Sequence, residues 1–559
     1  MRPTHSPRPD LAAQYRTAGY WQGRTLDFFV ERAAALCPDA VAVVDETRRL
    51  TFADVERDSL RLAAALSARG VGPGDVVSFQ LPNSADAVLV FHAIHRLRAV
   101  ANPIVPIYRE REVGFILEQA GTKVAFVPGT HRGFDHVAMY ASLRQRLTEL
   151  DLVVTTGGGA NPGDSTIGLD ELVASVTPDM IEKVRSLPRA DPDDICLLLY
   201  TSGTTADPKG ALHSHNTLVF ENSSMIETFE LNERDVIFNP SPVTHVTGVN
   251  CALTLPFLLG APVVLQDVWD PEAALDNVLS EKASFMIFAT PFLRGLLDAA
   301  TARGVRTPSV RYIICGGADI PDSLMTGASE VLGTVTRMYG ATEGPSVTSS
   351  NRWDGPRLRT GTDGRVLAPT EVIVSDGAGG TAGAGAVGEV LWRGPDTFLG
   401  YLDASLNAEA FTDDGFFRSG DLAYFDADGG IHIVGRIKDI INRSGEKISA
   451  HDVENEMSEH PAVTEVAVVA GPDPRTGERG CAFVVTRDGA DLTLDEVREF
   501  LSGRGVAMQK VPESVFVVDS LPKTASGKIQ KFALRDWTRD RGTTPPQMRS
   551  VTISASHER

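Results

Sequence analysis

Residues 199–215 read LYTSGTTADPKGALHSH. Thr201, Ser202, Thr204 and Thr205 offer hydroxyl donors, and Lys209 carries a positive charge on a long stem. Gly203 permits backbone conformations that bring successive N–H groups to one point, where they form a nest for an anion. Such a loop can cradle phosphate oxygens, although clusters of Gly, Ser and Thr also build ordinary polar turns. It is not the Gly-x4-Gly-Lys-Ser/Thr loop of nucleotide hydrolases, because Lys209 precedes Gly210 and no hydroxyl follows to hold magnesium.

Four further segments concentrate reactive residue types. MYGATEG (338–344) joins an aromatic ring, glycines, a hydroxyl and a carboxylate. SGDLAYF (419–425) is read as a turn bearing Asp421, followed by a strand. IVGRIKDIINRSGEKIS (433–449) spans a change of pattern, and LPKTASGKIQK (521–531) sets Lys528 beside a glycine. Each has an ordinary explanation when taken singly: Asp421 as a turn cap, Arg436 as half of a surface ion pair, Lys528 as one solvated lysine among many.

The elements that must hold these residues can be read from periodicity. LDFFVERAAALC (26–37) repeats as a helix, VAVVDETRRLTFADV reads strand, turn, strand and helix start, and DVVSFQLPN (75–83) is a strand. The helix SADAVLVFHAIHRLRAV and the strand ANPIVPI follow. This alternation continues to about residue 350 and predicts an α/β domain with buried sheets. After residue 360 TEVIVSD, GEVLWRG and GYL read as short strands. Gly383, Gly385 and Gly388 spell a dinucleotide-binding fingerprint, but the strand-like EVLW follows where that motif needs a helix, so a hairpin loop is expected. From about residue 440 a new α+β unit begins, with a helix over 449–460 capped by Ser449, strands in EVAVVAG, CAFVVTR and SVFVVDS, and a second helix in TLDEVREFLSGRG. The tail from 543 lacks periodicity.

Bulk properties narrow the class. A chain of 559 residues exceeds one core, and 42% apolar with 23% charged residues is ordinary for a globular protein. The net charge of −20 argues against nonspecific nucleic-acid binding and against attraction to an anionic membrane. The N-terminal MRPTHSPRPD has no apolar signal region. The apolar stretch 251–265 is broken by Pro256, Gly260 and Pro262 and is too short for a membrane span, so it is expected in a core. Five scattered cysteines without a Cys-x-x-Cys pair suit neither structural zinc nor a disulfide framework, and a cytoplasmic location is expected.

The five motifs, in this order, resemble those of the adenylate-forming superfamily: acyl-CoA synthetases, peptide-synthetase adenylation domains and firefly-type luciferases. The likeness runs from about residue 20 to 537. VANPIVPIYREREVGFIL (100–117), NPSPVTHVTG (239–248) and CGGADIP (315–321) resemble most the short- and medium-chain fatty acyl-CoA synthetases and cyclohexanecarboxylate-CoA ligases. The resemblance implies an α/β fold: a large N-terminal domain over 1–437 with a small β-barrel-like subdomain at about 355–437, then a mobile, small α+β C-terminal domain over 438–543 carrying Lys528, and a disordered tail over 544–559.

It also implies a reaction between ATP, with Mg2+, and a small-molecule carboxylic acid, followed by transfer to coenzyme A. Thr201, Ser202, Gly203, Thr204, Thr205 and Lys209 would hold the β- and γ-phosphates, Thr342 the α-phosphate, and Glu343 the Mg2+. Adenine would lie against Tyr339 and Gly340, near Gly316, Gly317 and Ala318. Asp421 and Arg436 would serve the ribose, Lys528 would bridge carboxylate and α-phosphate, Lys438 would be the hinge, and Gly445 would line the pantetheine tunnel. The acid would sit beyond His245, with Thr247, Gly248, Val249, Cys315 and Met338 as neighbours. Two departures stand out. Ala206 replaces a usual glycine, at roughly 1 kcal/mol or more if that position needs a positive φ. Ser444 stands where many relatives carry glycine. Val246-Thr247-Gly248 lacks the Asn-aromatic pair that aryl-acid activating relatives tend to carry, which favours an alkyl or alicyclic acid. The alternatives are an aryl acid loaded onto a carrier protein's thiol, an unusual acid such as nitrite activated for an amine acceptor, and a nucleotide-binding protein without catalysis. Intact Lys528, Glu343 and Asp421 speak against the last.

Overall fold

The computed structural model describes residues 9–157, 166–201, 208–317, 320–377, 379–444, 446–523, 529–539 and 548–553. They form two compact units. One comprises residues 1–317, 324–371 and 393–417, and the other residues 318–323, 372–392 and 418–559.

The first unit is built on two sheets. Among the described residues, one has nine strands, in the order Arg365–Val366, Gly344–Ser349, Thr334–Ala341, Tyr312–Gly316, Phe285–Phe288, Ile237–Asn239, Val263–Leu265, Val41–Val44 and Arg49–Thr51. Its interior is parallel and its edges antiparallel. The other has seven strands, in the order Lys209–Ser214, Ile195–Thr201, Val100–Pro103, Val76–Phe79, Thr122–Pro128, Leu152–Thr156 and Thr166–Gly168. The unbroken apolar run ICLLLY is explained by the pleat. Leu197 and Leu199 face a core shared with the nine-stranded sheet and the helices Leu26–Leu36, Phe52–Ala68 and Ala85–Arg96, while Leu198 and Tyr200 face a second core under Glu110–Ala120 and His136–Arg144. The helix Ala85–Arg96 is buried along nearly its whole length, its polar His92, His95 and Arg96 included.

The stretch 251–265 is indeed core. It forms part of a π-helix, Val249–Thr254, then the helix Leu255–Leu259 and the strand Val263–Leu265. Pro256 has no N–H to give the preceding turn, and one turn earlier the Thr254 hydroxyl donates to Val249 O at 3.0 Å.

In the second unit Glu371–Ser375, Gly388–Arg393, Phe417–Phe425 and Ile431–Arg436 form a four-stranded sheet, the form the β-rich segment takes. The Gly-rich stretch between its first two strands leads directly into Gly388–Arg393, so the fingerprint spelling there belongs to a hairpin. A six-stranded sheet follows, centred on Val463–Asp473, Gly477–Thr486 and Ser514–Val518 and covered by Ala450–Ser458 and Leu494–Gly503. Ser449 caps the first of these helices by accepting from Asp452 N, and Thr493 forms a capping box with Glu496 on the second.

Three expectations need correction. Asp421 lies inside the strand Phe417–Phe425 rather than on a turn before it, because a β-bulge at Leu422/Ala423 lets the pairing continue through the polar SGD. In GYL only Tyr401 makes a bridge, to Ala211. Part of the expected structureless tail, Met548–Ile553, pairs antiparallel with Ser514–Val518. Its pairing partner lies far away in sequence, so local periodicity gives no sign of it.

The loops that follow the parallel strands of the two sheets are tied by one side chain. Asn83 donates from Nδ2 to Ser241 O and Gln266 O, both at 2.9 Å, and accepts from Val243 N at 2.8 Å. Loops at the carboxyl ends of parallel strands are where α/β proteins bind ligands, and this knot sets the entry to His245. Asn83→Ala should lower the unfolding free energy by about 2 kcal/mol, since it takes the side-chain partner from Gln266 O and Val243 N, while Ser241 O keeps Asn239 Nδ2. Urea titration of the wild type and the variant measures it.

Candidate active site

In the first unit the opening loop is held at its two ends. Thr201 and Lys209 face each other in the antiparallel pair of Ile195–Thr201 with Lys209–Ser214, and Thr201 Oγ1 donates to Lys209 O at 3.4 Å. Ser202, Gly203, Thr204, Thr205 and Ala206 lie outside the described residues. The next residue, Gly210, must be small, because a Cβ there would come within 2.8 Å of Leu198 Cδ1.

Three residues past that glycine the strand reaches across to the motif at 338–344. His213 Nε2 donates to Thr342 O at 2.8 Å, and its Nδ1 lies 3.2 Å from Thr217 Oγ1. Burial pushes the His213 imidazole down to about 4, against the opposing pull of the Thr342 carbonyl, so the ring is neutral and its Nε2 carries the proton. Glu343 O accepts from Phe398 N at 2.9 Å, and Glu343 Oε1 accepts from Tyr401 Oη at 2.7 Å. Lys209 Nζ lies 5.3 Å from the centroid of the same Tyr401 ring. The fold therefore gathers Lys209, Thr342 and Glu343 from distant parts of the sequence. His213 and Tyr401, both missed in the sequence, join them. Their only sequence signals were a histidine in HSH and a tyrosine in GYL.

Tyr339 lies on the strand Thr334–Ala341, and Gly316 pairs in register with Met338 beside it. A Cβ on Gly316 would stand 2.5 Å from Met338 O, and one on Gly340 would stand 2.0 Å from Pro345 O. Both glycines are demanded by close backbone approach, which leaves this edge flat beside the ring. Gly317 follows in the left-handed region, with φ 80°. Ala318 is outside the described residues.

His245 caps the short turn Val246–Gly248, and its Nδ1 accepts from Thr247 N at 3.4 Å, which places the proton of a neutral ring on Nε2. A Cβ on Gly248 would strike Pro242 O at 2.0 Å, so this turn admits only glycine. Val246, Val249, Cys251 and Met338 share one buried cluster. Cys315, one residue before Gly316, is fully buried, and burial pushes its thiol up to about 12. Of the expected acid neighbours, Thr247 is half-buried while Val249, Cys315 and Met338 are buried.

Behind Met338 lies a polar layer that the sequence did not suggest. Ser346 Oγ, 3.4 Å from Met338 Sδ, donates to Glu221 Oε1 at 2.6 Å. Burial, with Asp396 adding to it, pushes the Glu221 carboxyl up to about 8. Burial likewise raises Asp396 to about 6. Two carboxyls desolvated together cannot both ionise cheaply, and the pair retains a proton at neutral pH.

In the second unit Asp421 and Arg436 are directly opposed in the strand pair, with Arg436 Nε 2.7 Å from Asp421 Oδ1. Asp421 N donates to Ser419 Oγ at 2.9 Å, and that hydroxyl donates to Val390 O at 2.6 Å. Asp421 is thus a buried carboxylate with a fixed backbone. Lys438 lies on the turn Ile437–Asp439, where Arg535 donates to its carbonyl at 3.2 Å and pairs with Asp439. Gly445 and Lys528 lie outside the described residues, although Lys523 and Ile529 pair across the segment that contains Lys528.

Among the described residues no group of three or more His, Cys, Asp or Glu side chains could hold a metal by itself. Glu343 offers a single carboxylate with one oxygen already bonded to Tyr401. That donor set fits Mg2+ arriving with a polyphosphate, since this ion usually takes one or two carboxylates plus phosphate oxygens and water. No helix among the described residues is long and apolar enough to cross a membrane.

Comparison with known proteins agrees with this geometry. Residues 30–402 match the family model for AMP-binding enzymes, and 452–528 match that of the AMP-binding enzyme C-terminal domain. The medium-chain fatty-acid–CoA ligase of Escherichia coli (strain K12) is 34% identical over 538 residues, covering 96% of this chain and 94% of the relative. The salicylyl-CoA synthase / salicylate adenylyltransferase of a Streptomyces species is 35% identical over 548 residues, covering 95% and 97%. Among solved structures, the anthranilate CoA ligase AuaEII in complex with anthranoyl-AMP superposes with a TM-score of 0.82 at 26% identity, covering 92% of this chain and 97% of that one.

The buried acid layer yields a sign-definite test. Glu221 binds its proton more tightly folded than unfolded, so it costs stability as pH rises from about 4.5 to about 8. Glu221→Gln removes that cost. The variant should gain on the wild type by more than about 1 kcal/mol across this window and then hold level, as measured by urea midpoints at a series of pH values.

Proposed function

This chain belongs to the AMP-binding enzyme family, and from that premise we propose that it activates a short, medium-chain or alicyclic carboxylic acid with ATP and passes the acyl group to coenzyme A. The observation that carries the reading is the convergence of Lys209 and Glu343 about Tyr401, with Thr342 held by His213 from the lysine's own strand, on a chain similar along nearly its whole length to a medium-chain fatty-acid–CoA ligase.

In the first half-reaction a carboxylate oxygen attacks the α-phosphorus, and the bond to the β-phosphate oxygen breaks to release pyrophosphate. Two anions must meet, so the site needs oriented donors and positive charge where charge develops. Lys209 and the loop hydroxyls Thr201, Ser202, Thr204 and Thr205 serve the leaving group, and Thr342 serves the α-phosphate. Glu343 holds Mg2+, which neutralises phosphate charge when bound. Asp421 accepts from the ribose hydroxyls with Arg436 in support. Lys528 holds the carboxylate against the α-phosphate, turning an encounter of like charges into a positioned reaction. In the second half-reaction the thiol attacks the acyl carbon and AMP leaves, with Lys438 as the hinge that lets the C-terminal domain exchange roles.

The alkyl or alicyclic reading rests on Val246-Thr247-Gly248 after His245 and on the apolar side chains of Val249, Cys315 and Met338. A second reading, an aryl acid passed to coenzyme A or to a carrier-protein thiol, is supported by relatives that carry aryl-acid names at 35% and 31% identity.

Pyrophosphate release and product mass across a homologous acid series and an aryl panel, with and without coenzyme A, separate these readings. Each methylene reaching apolar surface should add about 0.8 kcal/mol to binding, so specificity should climb several-fold per carbon and then fall. A flat length profile with a preference for ring hydroxyls would overturn the alkyl assignment. Lys528→Ala should cut adenylation at least a hundredfold and leave thioester formation from supplied acyl-adenylate within a few-fold of wild type, as single-turnover assays of each half-reaction would read.

A further inference from the structure

Lys209 and Glu343 carry opposite charges and approach the same Tyr401 side chain, yet they make no ion pair with each other. A direct pair would neutralise both groups and spend the lysine on the glutamate. The tyrosine stands between them as a neutral contact: its ring faces the ammonium and its hydroxyl donates to Oε1 of the carboxylate.

The phenol is not placed by chance. The segment 398–402 runs along the outer edge of the strand Lys209–Ser214, with Leu399 N donating to Leu212 O at 2.7 Å, Leu212 N to Gly400 O at 3.1 Å and Leu402 N to Gly210 O at 2.7 Å. Tyr401 bridges Ala211 in the same run. Asn407 fixes the Tyr401 backbone from the other side, accepting from Tyr401 N at 2.8 Å and donating to Tyr401 O at 3.3 Å. The Phe398 ring meets the Tyr401 ring edge-on at 4.9 Å, and Phe398 N holds Glu343 O. One five-residue segment therefore sets the positions of the lysine strand, the glutamate backbone and the hydroxyl between their side chains.

We propose that Tyr401 is a positioning residue for the metal–polyphosphate complex. It occupies Oε1 of Glu343, so that the carboxylate meets the cation through its other oxygen alone, and it keeps Lys209 available to the departing phosphates. The inference rests on the assignment of Glu343 to Mg2+ and of Lys209 to the phosphates, and it adds a residue that the motifs do not contain.

The test uses the full-length enzyme, Mn2+ as probe and a non-cleavable α,β-methylene ATP analogue. Free Mn2+ is counted by electron paramagnetic resonance in titrations of the wild type, Tyr401→Phe and Glu343→Gln. Tyr401→Phe retains the ring, its face toward Lys209 and its packing on Phe398, so it removes only the hydroxyl, and a matching melting temperature checks that the fold is kept. The expected result is a Mn2+ dissociation constant in the ternary complex about tenfold higher for Tyr401→Phe. The Mg2+ concentration for half-maximal pyrophosphate release should rise similarly, with thioester formation from supplied acyl-adenylate unchanged. If Glu343→Gln weakens Mn2+ binding while Tyr401→Phe does not, the role of Tyr401 is overturned and the assignment of Glu343 stands. If neither variant changes Mn2+ affinity, the metal assignment falls and the inference falls with it. Equal losses in both half-reactions for Tyr401→Phe would mark a general structural role and also overturn it.

Discussion

An edge strand with a free row of backbone groups is a liability that a fold must cover. Lys209–Ser214 is the last strand of its sheet, and its outer side is taken by the segment 398–402. The functional arrangement of the first unit depends on that cover. The same strand carries Lys209 at its start and His213 within it, and His213 reaches the carbonyl of Thr342. Because the covering segment also holds the backbone of Glu343, the phosphate-facing lysine and the carboxylate are fixed relative to each other by main-chain hydrogen bonds. Flexible side chains then need to find only their last few ångströms, and less conformational entropy is lost when substrate arrives.

What was legible in the sequence was what is local. The alternation of apolar strands and helices before residue 350 announced an α/β domain with buried sheets, and Leu197 and Leu198, on one strand, do face different cores. Ser449 announced a helix start, and the glycines at 383, 385 and 388 could be dismissed as a nucleotide fingerprint because a strand follows them. The reactive segments were found because residue types cluster within a few positions. What stayed hidden was what only tertiary pairing creates. Tyr401 is 58 residues from its partner Glu343, and His213 is 129 from Thr342. Neither spacing has a period. The strand Met548–Ile553 was missed for the same reason, and Asp421 was read as a turn because its polar neighbours conceal a bulged strand.

The buried acids Glu221 and Asp396 show the opposite economy. Their burial costs stability, and Ser346 satisfies only one of the Glu221 oxygens within the described residues. Ser346 lies on the strand that begins one residue after Glu343, so the protonated layer and the phosphate-facing edge share a strand. The hydrogen bond from Ser346 to Glu221 beneath Met338 fixes that strand's depth more specifically than an apolar filler of equal volume, which could slide.

The π-helix at Val249–Thr254 has a consequence for how such a chain diversifies. A π turn is an α turn carrying one surplus residue. Removing a single residue from this stretch would restore regular α geometry locally, while the flanking turns, whose register the wide turn preserves, would keep their faces. Val249, the residue expected beside the acid, would trade places on the helix face with a neighbour, while Leu255–Leu259 and the strand behind it could keep their packing. A one-codon deletion could thus redraw the wall of the acid site by repacking one buried turn of the core, a mutational step far shorter than substituting its side chains one by one.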